Sequence, residues 1–278
     1  MQSTEQTVQS TKQWTETKAE RKARKARERA GLSVVTTPTP KVETASNSKN
    51  YIVCLKWGNK YSADYVNNLR NMVARHTTVD YEFVCFTDDS SGIDKDIRVE
   101  PLPRLPATGW WFKPYFLSAD LPLDGTLLFL DLDLVVFNNI DYFFTYQPNK
   151  FCIIRDFNRQ FRRNWNRMNS SVFRTQVGMY HNLYHEFQSN TQFHTKQNRG
   201  DQDWMFRHIK DHAFWPDDWI QSYKWEMRER SALKMIDGKR NFVDIKDPKI
   251  IPSTSIAVFH GDPNPHNCKD PWVVDNWR

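Results

Sequence analysis

The hydrophobic residues of this 278-residue chain include continuous runs of strand length. Three such runs cover residues 51–55, 83–86 and 126–130. Between the first two, apolar residues recur at helical spacing after Ser62, which can cap a helix. Continuous apolar strands separated by a helical segment are typical of a parallel sheet that is buried on both faces. The pattern therefore predicts an α/β fold.

Polar residues follow each of these runs. Lys56, Trp57 and Tyr61 come after the first run, Asp88 after the second and Asp131 after the third. In parallel sheets, ligands bind beyond the carboxyl ends of the strands. If the strands are parallel, we expect these side chains to lie along one rim of the sheet.

The first 50 residues differ in composition from the rest. They hold ten of the 39 basic and five of the 33 acidic residues, which leaves residues 51–278 nearly neutral. Most of this tail is polar and too poor in apolar residues to form a core, and residues 18–30 have the composition of a solvated helix. The tail is either a disordered or helical appendage or, through residues 18–29, a contact for an anionic membrane surface or nucleic acid. We predict a basic, low-complexity tail over residues 1–50 and a single domain over residues 51–278.

No segment of the sequence is predicted to enter a membrane. The longest apolar runs are far shorter than the roughly 18 residues of a spanning helix, and the N-terminus lacks a secretory signal pattern. We therefore expect a cytoplasmic protein, with peripheral membrane contact as an alternative through the tail.

The strongest local signal is Asp131-Leu132-Asp133, which ends the third apolar run. Two carboxylates at the end of a buried strand are unfavourable unless a cation neutralises them. Mg²⁺ typically takes one or two carboxylates together with substrate phosphates. The motif thus predicts a clamp for a metal and a diphosphate, although two aspartates can also end a strand and cap a turn.

The same motif allows a second enzymatic interpretation. An apolar strand followed by Asp-x-Asp also resembles the first motif of haloacid-dehalogenase-type phosphatases, in which Asp131 would be the nucleophile and Asp133 the general acid. That motif normally opens its domain, whereas about 80 residues of α/β sequence precede it here. The phosphatase is therefore the alternative hypothesis.

Three later segments favour the metal and diphosphate interpretation. Residues 200–204 begin an apparent helix with carboxylates at its positive end, and residues 169–173 form a small polar step that leads into a strand. His260-Gly261 follows another apolar run. A neutral imidazole would complete a carboxylate site and favour Mn²⁺ over Mg²⁺.

Taken in order, these motifs resemble those of GT-A-fold glycosyltransferases, nearest to the glycogenin and bacterial lipopolysaccharide galactosyltransferase group (family 8-like). The resemblance covers about residues 51–277 and is carried by Phe112-Lys113, Asp131-x-Asp133, Asn169-Ser170-Ser171, Asp201-Gln202-Asp203 and His260-Gly261. It implies one Rossmann-like domain with a mostly parallel central sheet flanked by helices. Two motifs depart from the family: Asn-Ser-Ser replaces Asn-Ser-Gly, and Asn264-Pro265-His266 replaces Lys-Pro-Trp.

The resemblance also implies roles for individual residues. Asp131, Asp133 and His260 would bind Mn²⁺ or Mg²⁺ against the diphosphate of a nucleotide-sugar. The other implied donor-binding residues are Lys56, Trp57 and Tyr61 around the base and ribose, with Asp88 on the same rim, and Lys113 at the phosphate or donor sugar. The implied catalytic residues, which would face the transferring sugar and the acceptor, are Asn169, Asp201, Gln202 and Asp203.

The sequence therefore predicts a metal-dependent glycosyltransferase that prefers a UDP-sugar and retains the anomeric configuration, with an unknown acceptor. A non-catalytic binding module with the same fold is a third hypothesis.

Residues 155–167 add a feature that concerns the acceptor. This stretch has five arginines, one aspartate and three aromatic residues spaced four apart. The spacing predicts an amphipathic helix. Such a helix would either dock on the sheet or form a lid or groove for an anionic or aromatic-stacking acceptor.

Overall fold

The computed structural model describes residues 49–227, 233–236, 239–242 and 249–278. Apart from residues 49 and 50, the predicted tail lies outside the described residues, and so do its predicted contacts through residues 18–29. None of the described helices is both long and apolar enough to cross a bilayer.

The described residues form the following strands and helices. The strands are β1 (Lys49–Lys56), β2 (Glu82–Thr87), β3 (Arg98–Pro101), β4 (Gly125–Leu130), β5 (Leu134–Val136), β6 (Phe151–Arg155), β7 (Met168–Gln176), β8 (His212–Phe214), β9 (Ile220–Ser222), β10 (Leu233–Ile236), β11 (Lys239–Phe242) and β12 (Ile256–Val258). The α-helices are α1 (Ala63–His76), α2 (Tyr142–Thr145), α3 (His181–Ser189), α4 (Thr191–Gln197), α5 (Asp201–His208) and α6 (Pro271–Asn276). 3₁₀ helices cover Gly109–Leu117, Phe157–Gln160 and Pro265–Asn267, and a π-helical turn covers Tyr223–Met227.

A seven-stranded sheet in the order β3-β2-β1-β4-β7-β6-β8 forms the centre of the fold. β3, β2, β1 and β4 pair in parallel, as do β6 and β8. β7 is antiparallel to both of its neighbours, so it alone runs against the other strands of this sheet. The predicted α/β fold with a mostly parallel central sheet flanked by helices is confirmed.

Burial on both faces explains the continuous apolar runs. Ile52 and Cys54 of β1 pack in a core with α1, whereas Val53 and Leu55 pack on the opposite face in a core that includes Trp204 of α5. Because successive side chains of a strand point to opposite faces, both sets must be apolar.

A smaller sheet, in the order β5-β12-β9, lies beside the segment that follows β4. β12 is antiparallel to β5 and parallel to β9. Asp133 directly precedes β5, and the Phe259 amide just after β12 donates to the Asp133 carbonyl at 2.8 Å. The small sheet therefore fixes the backbone of the second aspartate of the motif.

The predicted helix over residues 155–167 is wrong. Arg155 ends β6 and pairs directly with Met168 of β7, and only Phe157–Gln160 forms a short 3₁₀ turn between them. A continuous helix over these residues would separate its ends by about 18 Å, which the antiparallel pairing of β6 and β7 excludes. The segment is a loop, in which Asn164 adopts a positive φ of 65°.

Candidate active site

A cleft of about 790 Å³ opens at the carboxyl ends of β1 and β4. It is lined by residues that follow β1, by the 3₁₀ helix Gly109–Leu117, by the Asp131–Asp133 segment, by the β6–β7 loop and by the start of α5. Because β1 and β4 are parallel neighbours, their ends lie side by side. A rim of polar residues is therefore present at these strand ends, although only some of its members reach the cleft.

Lys113 and Asp131 form an ion pair in this cleft. The Lys113 Nζ atom lies 2.7 Å from Asp131 Oδ1 and also donates to the Ser170 carbonyl at 3.2 Å. Burial alone would lower the pKa of Lys113, but the neighbouring carboxylates of Asp131 and Asp201 outweigh it and raise that pKa. Lys113 is thus a buried, protonated cation at the end of β4.

Asp133 lies two residues from this pair and also lines the cleft. The Tyr61 hydroxyl donates to Asp133 Oδ2 at 3.0 Å. Burial, together with the charge of Asp131, raises the pKa of Asp133 to about 6. The Asp133 carboxylate is therefore incompletely neutralised by the residues around it.

This donor set fits a hard divalent cation. Asp131 and Asp133 offer carboxylate oxygens to the same cleft, and oxygen ligands are those that Mg²⁺ and Mn²⁺ prefer. Within the described residues, no three His, Cys, Asp or Glu side chains form a group arranged to hold a metal ion. The observed arrangement thus supplies two candidate protein ligands, and metal binding stays a prediction.

His260, the predicted third ligand, has another set of contacts. Its Nε2 atom lies 2.5 Å from the Ser222 hydroxyl, and its ring stacks on Phe157 and contacts the Trp225 ring edge to face. Burial, reinforced by the charge of Lys224, lowers the pKa of His260 to about 4, so the imidazole is neutral. To bind a metal through Nε2, His260 would have to give up its contact with Ser222.

Asp201 begins α5 and is the most buried carboxylate of the predicted catalytic set. Its side chain bonds to Ser170 and interacts with Lys113, while its Oδ2 atom has no hydrogen-bond partner among the described residues. Burial raises its pKa. Gln202 and Asp203 follow it along the cleft and are partly exposed.

The remaining catalytic candidate, Asn169, does not line the cleft. Its Oδ1 atom accepts from the Ser171 amide at 3.0 Å, so the side chain shapes the start of β7. The neighbouring Ser170 is the residue that contacts Lys113. The contact of Ser170 with Lys113 was not predicted from the sequence, because the resemblance assigns a role to the asparagine of this motif.

The donor-binding candidates divide into two groups. Trp57 and Tyr61 line the cleft, together with Lys60, which the sequence analysis did not single out. Lys56 and Asp88 form the second group and lie outside the cleft lining.

Lys56 and Asp88 hold the loop that presents Trp57 and Tyr61. Lys56 is buried and donates to the Asp89 carbonyl at 3.0 Å. The Asp88 carboxylate accepts from the Gly58 amide, also at 3.0 Å. Both residues therefore act on the shape of the loop that follows β1.

A second cation lies near Asp133 and was also missed. Lys224 belongs to the π-helical turn Tyr223–Met227 and interacts with the carboxylates of Asp262 and Asp133. Burial lowers its pKa. Only the fold brings this lysine, which is 91 positions further along the chain, near the aspartate motif.

Solved structures share this architecture. The galactosyltransferase LgtC in complex with donor and acceptor sugar analogs matches 81% of this chain and 93% of its own, with a TM-score of 0.56 and 12% identity. The bifunctional glycosyltransferase WbbM matches 84% of this chain and 50% of its own, with a TM-score of 0.56 and 12% identity. The glycosyltransferase GlyE of Streptococcus pneumoniae TIGR4 matches 83% and 59%, with a TM-score of 0.54 and 14% identity.

These similarities confirm that the chain has the GT-A type of fold. At the level of sequence, no protein-family description and no curated protein matches the chain.

Proposed function

We propose that the protein is a metal-dependent glycosyltransferase that uses a nucleotide-sugar donor. The observation that carries this proposal is the grouping of Lys113, Asp131, Asp133 and Asp201 in one cleft at the carboxyl ends of β1 and β4. These residues lie beyond the carboxyl ends of parallel strands, and this position supports the proposal because ligands of open α/β sheets bind there. LgtC was solved in complex with donor and acceptor sugar analogs, which supports the same class of ligand here.

Leaving-group stabilisation is the chemistry that this cleft supports best. Breakage of the bond between the anomeric carbon and the diphosphate leaves negative charge on the nucleoside diphosphate. Lys113, held by Asp131 and the Ser170 carbonyl, supplies a fixed positive charge at the cleft wall. A divalent cation held by Asp131 and Asp133 would add Lewis-acid neutralisation of the same diphosphate.

The side chains of Trp57 and Tyr61 offer aromatic surfaces for the base and ribose. Asp201, Gln202 and Asp203 line the same cleft at the start of α5, and we assign them to the donor sugar and the acceptor hydroxyl. We propose a UDP-sugar as the donor and retention at the anomeric carbon, on the resemblance of the motifs to the glycogenin and lipopolysaccharide galactosyltransferase group.

Nucleotide-sugar binding can be tested by thermal unfolding. We expect a UDP-sugar with Mn²⁺ to raise the Tm more than GDP- or CMP-sugars do, because a ligand that binds only the native state stabilises it by mass action. Asp133→Asn should lose the Mn²⁺-dependent part of this shift, whereas Asp275→Asn, on an exposed position of α6, should keep it. A Tm that no donor changes, with or without Mn²⁺, would contradict the proposal.

The phosphatase hypothesis makes a different prediction in the same preparation. It requires release of phosphate from an aryl phosphate without any nucleotide, and loss of that release in Asp131→Asn. The GT-A fold favours the transferase, and we therefore expect donor hydrolysis and no aryl phosphate turnover.

A further inference from the structure

Four arginines line one part of the proposed donor and acceptor cleft. Arg162 and Arg167 come from the β6–β7 loop, Arg199 precedes α5 and Arg207 lies within it. All four are exposed, and we call them the arginine wall. Within the part of the chain that the structure describes, none of them forms an ion pair with a carboxylate.

The neighbouring arginines of the same loop have different surroundings. Arg155 pairs with the Asp217 carboxylate, and Arg159 lies 2.8 Å from Glu226 Oε1. These two arginines are neutralised by protein carboxylates and do not line the cleft. The arginine wall is therefore a distinct group, which lines the cleft and has no carboxylate partner within 4 Å among the described residues.

Aromatic rings hold two members of the wall. The Arg162 guanidinium lies 4.8 Å from the ring centroid of Trp165, and the Arg167 guanidinium lies 4.5 Å from that of Phe206. Trp165 is itself fixed, because its Nε1 atom donates to Asp156 Oδ1 at 2.7 Å. A cation–π contact occupies the face of a guanidinium and leaves its in-plane N–H groups available for an anion. Arg162 and Arg167 thus present preorganised donors to the cleft.

We propose that the arginine wall binds a phosphate group on the acceptor, so that the acceptor is a phosphorylated sugar. This inference rests on the proposed function. Arginine guanidinium groups donate paired hydrogen bonds to the oxygens of a phosphate. Arg167 packs on Phe206, the residue that precedes Arg207 in α5, so arginines of the β6–β7 loop and of α5 line the same part of the cleft. The donor diphosphate has its own cation in Lys113, on a separate segment of the chain.

The reaction is balanced without a further reagent. A hydroxyl oxygen of the phosphorylated sugar forms the new bond to the anomeric carbon of the donor, and the bond from that carbon to the diphosphate oxygen breaks. The nucleoside diphosphate leaves with the electron pair and takes up the hydroxyl proton. The acceptor phosphate keeps all its bonds and serves only for binding.

Acceptor pairs that differ only in the phosphate provide the test. The acceptors are galactose, glucose and N-acetylglucosamine, each compared with its 6-phosphate. Every reaction contains a UDP-sugar and Mn²⁺. The rate of donor hydrolysis by water, without an acceptor, is the baseline. We expect at least one phosphorylated sugar to exceed its neutral partner in kcat/KM by about 100-fold at low salt, and added salt to reduce this preference. A glycopeptide that carries mannose 6-phosphate is used as a further acceptor. Comparison of its kcat/KM with those of the free sugar phosphates shows which of the two kinds of acceptor the enzyme prefers.

The variants assign the preference to the wall. Arg162→Gln combined with Arg167→Gln should raise the KM for the phosphorylated acceptor by about tenfold or more, because each lost guanidinium removes charge-assisted hydrogen bonds. Arg167→Lys should have an intermediate effect, because it keeps the charge and loses the planar fork. Arg163→Gln is the matched control, since Arg163 is exposed in the same loop and does not line the cleft.

Three outcomes would overturn the inference. The first is equal use of neutral and phosphorylated sugars, and the second is donor hydrolysis that no phosphorylated sugar diverts into transfer. The third is a double variant whose main effect is on the KM for the donor. In each of these cases donor turnover still supports the proposed function, whereas absence of all donor turnover would contradict the proposed function itself.

Discussion

Two ion pairs of similar length occupy different environments in this protein. Lys113 and Asp131 lie 2.7 Å apart, with 6% and 24% of their side chains exposed. Arg159 and Glu226 lie 2.8 Å apart, with 5% and 3% exposed. The first pair opens into the cleft and the second is closed to solvent.

Their remaining hydrogen bonds differ in the same way. Glu226 also accepts from the Ser222 amide at 2.8 Å and from Gln160 Nε2 at 2.6 Å, so both of its oxygens are satisfied by the protein. Around Lys113, by contrast, one oxygen of Asp201 has no hydrogen-bond partner among the described residues. A buried carboxylate whose two oxygens are both paired with the protein, as in Glu226, supports the fold, whereas a buried carboxylate oxygen without a partner beside an open cleft, as in Asp201, can still bind a ligand.

The largest expected effect comes from the open pair. We predict that Asp131→Asn lowers donor turnover by about 1,000-fold, because it removes a candidate metal ligand and the charge that positions Lys113. The free energy of unfolding should change by only about 1 kcal/mol, because Lys113 keeps the neighbouring carboxylates of Asp201 and Asp133 and the site of Asp131 is open to solvent in the cleft. Steady-state kinetics and urea unfolding measure the two quantities, with Asp275→Asn as the control. If Asp131→Asn instead unfolded the protein and left the activity of the folded fraction intact, the assignment of this pair to function would be wrong.

The closed pair should show the opposite behaviour. We predict that Glu226→Gln lowers the free energy of unfolding by about 3 kcal/mol, because it leaves the Arg159 charge buried without its main partner. The KM for the donor should stay the same in the folded protein. Urea unfolding is the measurement, and Arg159→Met combined with Glu226→Leu should recover much of the loss because it removes both charges. A donor KM that rises strongly in Glu226→Gln would show that the closed pair also supports the cleft.

The sequence predicts the strands better than it predicts these pairs. The apolar runs 51–55, 83–86 and 126–130 all lie within observed strands, because a strand buried on both faces has few alternatives to a continuous apolar run. The contact of Arg159 with Glu226 joins positions 67 apart, and no local pattern indicates it.

The helix predicted over residues 155–167 failed for a related reason. Residue spacing shows which side chains would share a face if a helix formed, but the pairing of β6 with β7 decides whether it forms. In the folded protein, Arg155 and Arg159 pair with carboxylates, whereas Arg162 and Arg167 line the cleft without such a pair. The sequence alone shows all of them as one cluster.

His260 provides a third comparison. It was predicted to bind the metal together with Asp131 and Asp133, but it contacts the π-helical turn Tyr223–Met227, which contains Glu226. Its pKa of about 4 lies below the ordinary value of 6.5, so the unfolded chain binds a proton more readily than the folded one. The contribution of His260 to the free energy of unfolding should therefore be fully present above pH 6.5. It should decrease by about 2–3 kcal/mol as the pH falls toward 4. Urea unfolding between pH 7 and pH 4 measures the slope.

His260→Gln should show a smaller slope over the same range than the wild type. If the two slopes were equal, His260 would not be the group that titrates, and its buried contact with Ser222 would not explain the pH dependence.

The smallest expected effect tests whether Tyr61 acts through Asp133 or through the donor. Tyr61→Phe keeps the ring that lines the cleft and removes the hydroxyl that donates to Asp133 Oδ2. We predict that the affinity for Mn²⁺ falls by about fivefold, which corresponds to one hydrogen bond of about 1 kcal/mol, while the donor KM at saturating Mn²⁺ is unchanged. Mn²⁺ titrations of donor turnover give both quantities, and Tyr81→Phe serves as the control because Tyr81 packs in the core beside α1 and does not line the cleft. A higher donor KM with unchanged Mn²⁺ affinity would mean that the hydroxyl contacts the donor directly, so that Asp133 does not depend on it.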